Sequence, residues 1–471
     1  MDMAERGIYC NRTLNLRSIR AIGYDMDYTL VHYNVDEWEG QAYAHVRAKL
    51  IARGWPVEGL VYEPTRVMRG LVIDTKLGNT IKINRFGYVK NAHHGTEALD
   101  YSLTRRAYTR TIVDLAESRW RFLNTLFAIS EACIYAQLVD LFDAGAIEDP
   151  EVRSYRDLYE AVRGALDAAH IEGELKAEIM ANPERYIELD EEMPLALLDQ
   201  KASGKRLVLI TNSGWPYTKF MMAYAFDRFL PEGVTWRDLF EVAVVASRKP
   251  VFFTRNEPMY LVEDEDKGLL APARSMVKGR VYHGGCARRV EDYLGCSGDH
   301  ILYVGDHVFT DVHVSKQILR WRTALILREL EDEIGALREN VSLQHELAEK
   351  MKLKVRLEDE FSEVRLDLQR IRDGYGPRSD SDPEELKLEL ARRREELVAL
   401  DATIAPLAIR DATSFNTLWG HLLRAGKDKS HLTRQIESYA DIYTSRVSNF
   451  LKYTPFMFFR GSRGSLPHDQ D

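Results

Sequence analysis

Three short apolar runs punctuate a mixed chain: Ala21 to Tyr24, Leu207 to Ile210 and Ile301 to Val304. Each is too short for a helix and is followed at once by a polar cluster, the pattern of a parallel strand buried on both faces. Open α/β sheets bind ligands beyond the carboxyl ends of their strands, so the clusters opening at Asp25, Thr211 and Gly305 are predicted to meet at one crevice. About 180 residues separate the first two runs, more than a crossover needs, which predicts an inserted domain that could close over the cleft. Within it, Gly70 to Asp74 and Leu77 to Ile83 predict a β-hairpin around Gly78-Asn79, and residues 107–145 and 154–182 read as helices. The segment from about 250 to 285, rich in glycine, proline and charge, reads as hairpin and loop.

From Glu331 to Arg372 the apolar positions Ile334, Leu337, Val341, Leu347, Met351, Phe361, Val364, Leu368 and Ile371 mostly follow three-four spacing in a charged background. Gly374-Tyr375-Gly376-Pro377 ends that helix, and Asp382-Pro383-Glu384-Glu385 has the form of an N-cap with proline at the first helical position. Leu386, Leu390, Leu397, Leu400 and Ile404 continue with helical spacing, which predicts an antiparallel helical hairpin, a packing or oligomerisation arm.

With 471 residues, two or three structural units are expected. Lys and Arg number 64 against 73 Asp and Glu, and the net charge of −9 disfavours binding to nucleic acid or an anionic membrane surface. The four cysteines are dispersed without CxxC spacing, so neither a disulfide framework nor a zinc site is indicated. No signal peptide or membrane-spanning run is present, so a soluble, cytoplasmic protein is expected.

The candidate chemistry sits at the strand ends. Asp25 and Asp27 lie two residues apart, and buried carboxylates need a shared cation, for which magnesium with its oxygen ligands is suited. Asp25 can attack phosphorus as a nucleophile, and Asp27 can protonate the leaving oxygen and then deprotonate water. Thr211-Asn212-Ser213 offers a hydroxyl and turn amides to phosphate oxygens, and Lys249 can offset the charge shared by nucleophile and phosphate. In Gly305-Asp306-His307-Val308-Phe309-Thr310-Asp311, Asp306 is a metal ligand candidate with Asp311 bracing it, and His307 reads as a loop histidine. Singly, each element has a plainer reading: an acidic helix cap, an N-cap and a surface lysine. Their order along the chain is what carries the reading.

That order resembles the haloacid dehalogenase superfamily, with Asp-x-Asp-x-Thr, a strand-end Thr, a Lys and Gly-Asp followed by a further Asp. The resemblance implies a Rossmann-like parallel-sheet core with an inserted cap, and Asp27 points to its phosphatases. Tyr24 to Leu30, Arg69-Gly70-Leu71-Val72, Leu123 to Phe127, Arg248-Lys249-Pro250, Gly305 to Phe309 and Trp321-Arg322-Thr323 further resemble the blocks of the purine-preferring cytosolic 5′-nucleotidases, specific for IMP and GMP. This implies a magnesium-dependent 5′-nucleotidase acting through an aspartyl-phosphate at Asp25, with phosphotransfer to nucleosides as a side activity. It also implies metal ligation by Asp25, Asp306 and the backbone of Asp27, with Asp311 behind them, and phosphate binding by Thr211, Asn212 and Lys249. By the same resemblance Phe127 stacks on the purine, and Arg163, Asp167, His170 and Lys176 contact base, ribose or phosphate. Positions 163, 167 and 170 independently share one helix face. A nucleotide effector site is implied at Asn124, Phe309, Gln435 and Tyr439, and a homo-oligomer, dimer or tetramer, is expected. Ala128, Asp114 and Gln317 differ from the asparagine, arginine and lysine of the family.

The expected domains are therefore core residues 1–45, an inserted nucleoside-binding cap over 46–200, core again over 201–330, the helical hairpin over 331–405, and a C-terminal segment, 406–471, packing on the core. Two other readings compete: a capped phosphatase of another small phosphomonoester, and a non-catalytic interaction protein using the hairpin.

Overall fold

The three apolar runs are close neighbours in a ten-stranded sheet. The computed structural model describes residues 6–377 and 381–462, excluding the side chains of residues 169–172. In chain order the strands are β1 (Tyr9–Cys10), β2 (Ala21–Tyr24), β3 (Arg206–Ile210), β4 (Val242–Val245), β5 (Met259–Asp264), β6 (Leu269–Pro272), β7 (Val281–Gly284), β8 (Ile301–Gly305), β9 (Arg322–Ile326) and β10 (Ile442–Thr444). Their order across the sheet is β1-β10-β9-β8-β2-β3-β4-β7-β5-β6. The stretch from β10 to β7 is parallel throughout, and only β1, β5 and β6 join antiparallel at the margins. This is a mixed α/β architecture built on a largely parallel sheet.

β2 lies between β8 and β3, and all four of its residues are buried. Gly23 is required there: a Cβ would stand 2.8 Å from the ring of Tyr303 on β8, which occupies the space instead. Between β2 and β3, the strand His32–Tyr33 leads out of the sheet and pairs antiparallel with the returning strand Ile187–Glu188. The inserted residues build a five-stranded antiparallel sheet and four helices used below: α1 (Val35–Ala52), α2 (Ile129–Asp143), α3 (Tyr155–Glu172) and α4 (Glu174–Ala181). Asn34 caps α1 and Ser154 caps α3 through their side chains, while Gly173, at φ 72°, makes the turn from α3 to α4.

Residues 109–125 differ from the helical reading. They form turns and the strand Trp120–Phe122, which pairs with Val72–Asp74. Trp120 is buried in the apolar cluster of that sheet, so strand pairing overrides the helical spacing of this segment.

Residues up to Glu331, with those from Leu422 onward, form one compact unit, and Asp332–His421 forms a second. The second unit contains α5 (Val341–Asp373) and α6 (Pro383–Ala412). Gly374, at φ 70°, ends α5, and the Asp382 side chain caps α6. The helices run antiparallel, with pairs between Lys354 and Asp401 (2.6 Å) and between Arg393 and Glu360 (2.9 Å). No helix among the described residues is long and apolar enough to cross a membrane.

Candidate active site

Four adjacent parallel strands, β8, β2, β3 and β4, end at the same edge of the sheet, so their carboxyl-terminal residues converge. Asp25 follows β2 and keeps the ladder going one step, donating its N–H to Val304 O at 2.9 Å. The chain then reverses: Tyr28 sits at φ 54°, and the amides of Leu30 and Val31 both donate to Met26 O at 2.9 Å. That turn holds Asp27 half-exposed beside the buried Asp25.

Lys249, beyond β4, is buried and lies between two carboxylates, 2.8 Å from Asp25 Oδ1 and 2.8 Å from Asp311 Oδ1. It also donates to Tyr303 Oη at 3.0 Å, the ring that Gly23 admits. Asn212 Oδ1 accepts from Lys249 N (2.6 Å) and Ser247 Oγ (2.9 Å), so this side chain clamps the Lys249 turn. Thr211 is fully buried, and its Oγ1 accepts from Ser213 N at 3.0 Å. Gly305 permits the approach of Asp311, whose side chain lies 2.6 to 2.7 Å from where a Cβ would be. Asp311 Oδ2 in turn accepts from His307 N at 3.2 Å. His307 acts as a neutral cap, its Nδ1 accepting from Phe309 N and Thr310 N. Burial first, then the cations Arg69 and Lys249, outweigh the opposing Asp311 charge and hold the His307 imidazole pKa down at about 4.

Carboxylate oxygens of Asp25, Asp306 and Asp311 lie within 4.8 Å of one another, all three residues being buried. Asp306 Oδ2 is buried without a hydrogen-bond partner. Among the described residues, Lys249 pairs with two of these three carboxylates, and Arg69 adds a second cation that favours the charged form of Asp306. Burial, together with repulsion from Asp311 and Asp27 that works against Lys249, pushes Asp25 up to about 7. Burial and then Asp311 and Asp25 push Asp306 well above the usual carboxylate range. Burial opposes the charge on Lys249, yet Asp25 and Asp311 hold it protonated. An all-oxygen donor set short of positive charge, with one orphaned oxygen, fits a hard divalent cation.

Asp27 is held by two hydroxyls: Tyr33 donates to Oδ1 at 2.5 Å and Ser213 donates to Oδ2 at 2.7 Å. Burial and then the Asp27 charge keep the Tyr33 phenol well above its ordinary range, so it remains a donor. Lys176, from α4, donates to Ser213 Oγ at 3.2 Å and lies 4.7 Å over the Tyr217 ring. The inserted domain thus reaches the carboxylate site through Lys176. Phe127 packs edge-on against Tyr28 (4.6 Å) and Trp38 (5.4 Å), both of which also pack against Tyr33, the ring whose hydroxyl holds Asp27. Arg163 donates to buried Glu131 at 3.0 Å and lies 3.4 Å from Asp167, with both Arg163 and Asp167 half-exposed. Glu131 also accepts from Tyr159. His170 lies on α3, but its side chain falls outside the described residues.

Phe309 stacks on His313 (5.3 Å), and His313 also meets Tyr439 edge-on (4.0 Å). Gln435 and Tyr439 line a cleft with Phe86, Asp114, His431 and Arg434, and Asn124 lies in the loop after Trp120–Phe122. Tyr33, Tyr217 and Glu131 were not among the residues singled out from sequence. Tyr33 is separated from Asp27 by a tight turn, and the other two meet their partners only through tertiary contact, so no local spacing marks them.

The model of the 5′ nucleotidase family matches residues 8–471. A 5′-nucleotidase domain-containing protein of Dictyostelium discoideum is 26% identical over 474 residues, covering 98% of this chain and 74% of that protein. The human 5′-nucleotidase domain-containing protein 2 is 27% identical over 484 residues, covering 98% of this chain and 85% of that protein. Among solved structures, an archaeal β-phosphoglucomutase from Pyrococcus aligns at 12% identity over 66% of this chain and 87% of its own, with a TM-score of 0.32, a level that does not establish a common fold. With the family matched over nearly its whole length, the chain belongs to the 5′-nucleotidase family of enzymes.

Proposed function

We propose that this protein is a magnesium-dependent 5′-nucleotidase of the haloacid dehalogenase type that hydrolyses purine nucleoside 5′-monophosphates, IMP and GMP, through a phosphoryl group carried on Asp25. The observation that carries this reading is the convergence of Asp25, Asp306 and Asp311 on Lys249, with Asp27 beside them. Asp25 Oδ1 already accepts from Met26 N and Lys249, so Oδ2 is the attacking atom. As the new Asp25–phosphorus bond forms and the bond to the nucleoside O5′ breaks, the proton of Asp27 passes to that oxygen. In the second half, Asp27 takes a proton from water as its oxygen attacks phosphorus, releasing phosphate and the Asp25 carboxylate. A nucleoside hydroxyl in place of water gives phosphotransfer.

Lys249 holds Asp25 in place and offsets charge on the phosphoryl group. Thr211 Oγ1 accepts from Ser213 N and so keeps its own proton to donate to a phosphoryl oxygen. Magnesium would be held by Asp25, Asp306 and the Asp27 carbonyl, with Asp311 behind, and would supply charge neutralisation at the phosphoryl oxygens. Phe127 offers a ring to the purine, and Arg163, held by Glu131, serves with Asp167, His170 and Lys176 to contact base, ribose or phosphate. The Gln435–Tyr439 cleft with Phe309 is the nucleotide effector site in this reading.

Initial rates of phosphate release from IMP, GMP, AMP, CMP and UMP, with magnesium and with a chelator, test it. Preference for IMP and GMP that vanishes with the chelator supports it. Equal rates on all five and on simple sugar phosphates would overturn the substrate assignment.

A further inference from the structure

Tyr33 occupies a junction that ordinary packing does not explain. It lies on the strand leading out to the inserted domain, paired with Ile187 on the returning strand. It is 2% exposed, packed between Tyr28 (5.1 Å) and Trp38 (4.4 Å). Its hydroxyl leaves this aromatic cluster to donate to Asp27 Oδ1 at 2.5 Å and lies 3.2 Å from Tyr217 Oη. On the other side of Asp27, Ser213 donates to Oδ2 and is itself approached by Lys176 Nζ. Both carboxyl oxygens are therefore pinned by hydroxyls, and each keeps a second lone pair for proton exchange. The two pins depend on the inserted domain: one sits on its outgoing strand and the other is braced by Lys176 of α4.

We propose that Tyr33 is a positioning residue that orients the Asp27 carboxyl toward the bridging oxygen of the scissile phosphate ester, so that the proton-transferring group is aligned only when the strands of the inserted domain are paired. This rests on the nucleotidase reading above. The step it serves breaks the phosphorus–O5′ bond and moves one proton from Asp27 to O5′. A misaligned carboxyl slows that step in proportion to how much the leaving group needs the proton.

The test compares IMP with its analogue carrying sulfur at the 5′ bridging position, which has the same base and sugar but leaves as a thiolate needing no proton. For Tyr33→Phe, which keeps the ring and its packing, kcat/KM on IMP is expected to fall about 10- to 100-fold with KM little changed, while the sulfur analogue loses less than about threefold. Tyr217→Phe, which removes only the hydroxyl behind Tyr33, should give a smaller effect with the same preference for the oxygen ester. Equal losses on both substrates would make Tyr33 merely structural and overturn the proposal, as would unchanged rates on IMP. Wild-type protein inactive on both substrates would instead overturn the nucleotidase reading on which the proposal stands.

Discussion

Replacing Gly305 by alanine probes the site through one methyl group. A Cβ there would stand 2.6 Å from Asp311 Oδ2 and 2.7 Å from its Cβ and Cγ. To regain ordinary contact, Asp311 must retreat by roughly 0.7 Å. It is fully buried and tied to Lys249 at 2.8 Å and to His307 N at 3.2 Å, so the retreat stretches or breaks both contacts. Overpacking of this kind costs about 1–3 kcal/mol of stability, and a displacement approaching 1 Å at a catalytic centre costs up to about 100-fold in rate. Gly335→Ala is the control: nothing lies within 4 Å of its Cβ position, and it stands in the helix Leu330–Glu339, where alanine gains about 0.5–1 kcal/mol. Urea unfolding and kcat/KM on IMP, run on both variants, give the comparison. Gly305→Ala is expected to lower both stability and rate, and Gly335→Ala to raise stability at unchanged rate. A Gly305→Ala enzyme with wild-type activity would refute the claim that Asp311 and Lys249 act as one tightly packed unit.

Asp25→Asn should abolish turnover of IMP while circular dichroism stays native, since the amide cannot form the phosphoryl intermediate; substantial residual activity contradicts nucleophilic catalysis. Magnesium at about 100 times its dissociation constant should stabilise the protein by about 2.7 kcal/mol, read as a rise in urea midpoint that the Asp306→Asn variant lacks. Arg163→Ala should lower kcat/KM on IMP but spare 4-nitrophenyl phosphate, and equal losses would remove Arg163 from nucleoside recognition. Glu331 is buried, which would raise its pKa, but Arg446 (2.7 and 2.6 Å), Ser445 and Arg328 together bring it down to about 2. A depressed carboxylate stabilises the fold above its unfolded value of 4.5 and loses that contribution as pH falls toward about 2, an effect of about 3 kcal/mol. Glu331→Gln should therefore flatten the loss of urea resistance between pH 4.5 and about 2, and an unchanged acid limb would count against the network.

The strand ends were legible because a buried parallel strand leaves a local mark: an apolar run that stops at its first functional residue, as at Tyr24, Ile210 and Val304. The helical hairpin was legible for the same reason, since Asp382 and Pro383 signal a helix start within their own few residues. Residues 109–125 were not, because Trp120–Phe122 becomes a strand only by pairing with Val72–Asp74, which no local period encodes. Asn212 reads from its turn as offering an amide to an anion, and the further role of its side chain, holding the Lys249 loop 37 residues away in sequence, leaves no local mark. The same limit governs the chemistry. Asp27 is visible as a carboxylate two residues from another, but what directs it comes from Tyr33, across a left-handed turn at Tyr28, and from Ser213, 186 residues distant. A motif identifies the groups able to react. In the proposed mechanism, the geometry that would make Asp27 an aligned proton donor comes from hydroxyls on separate elements, so substitutions at Tyr33 and Tyr217 test the fold's contribution to catalysis apart from the motif's own.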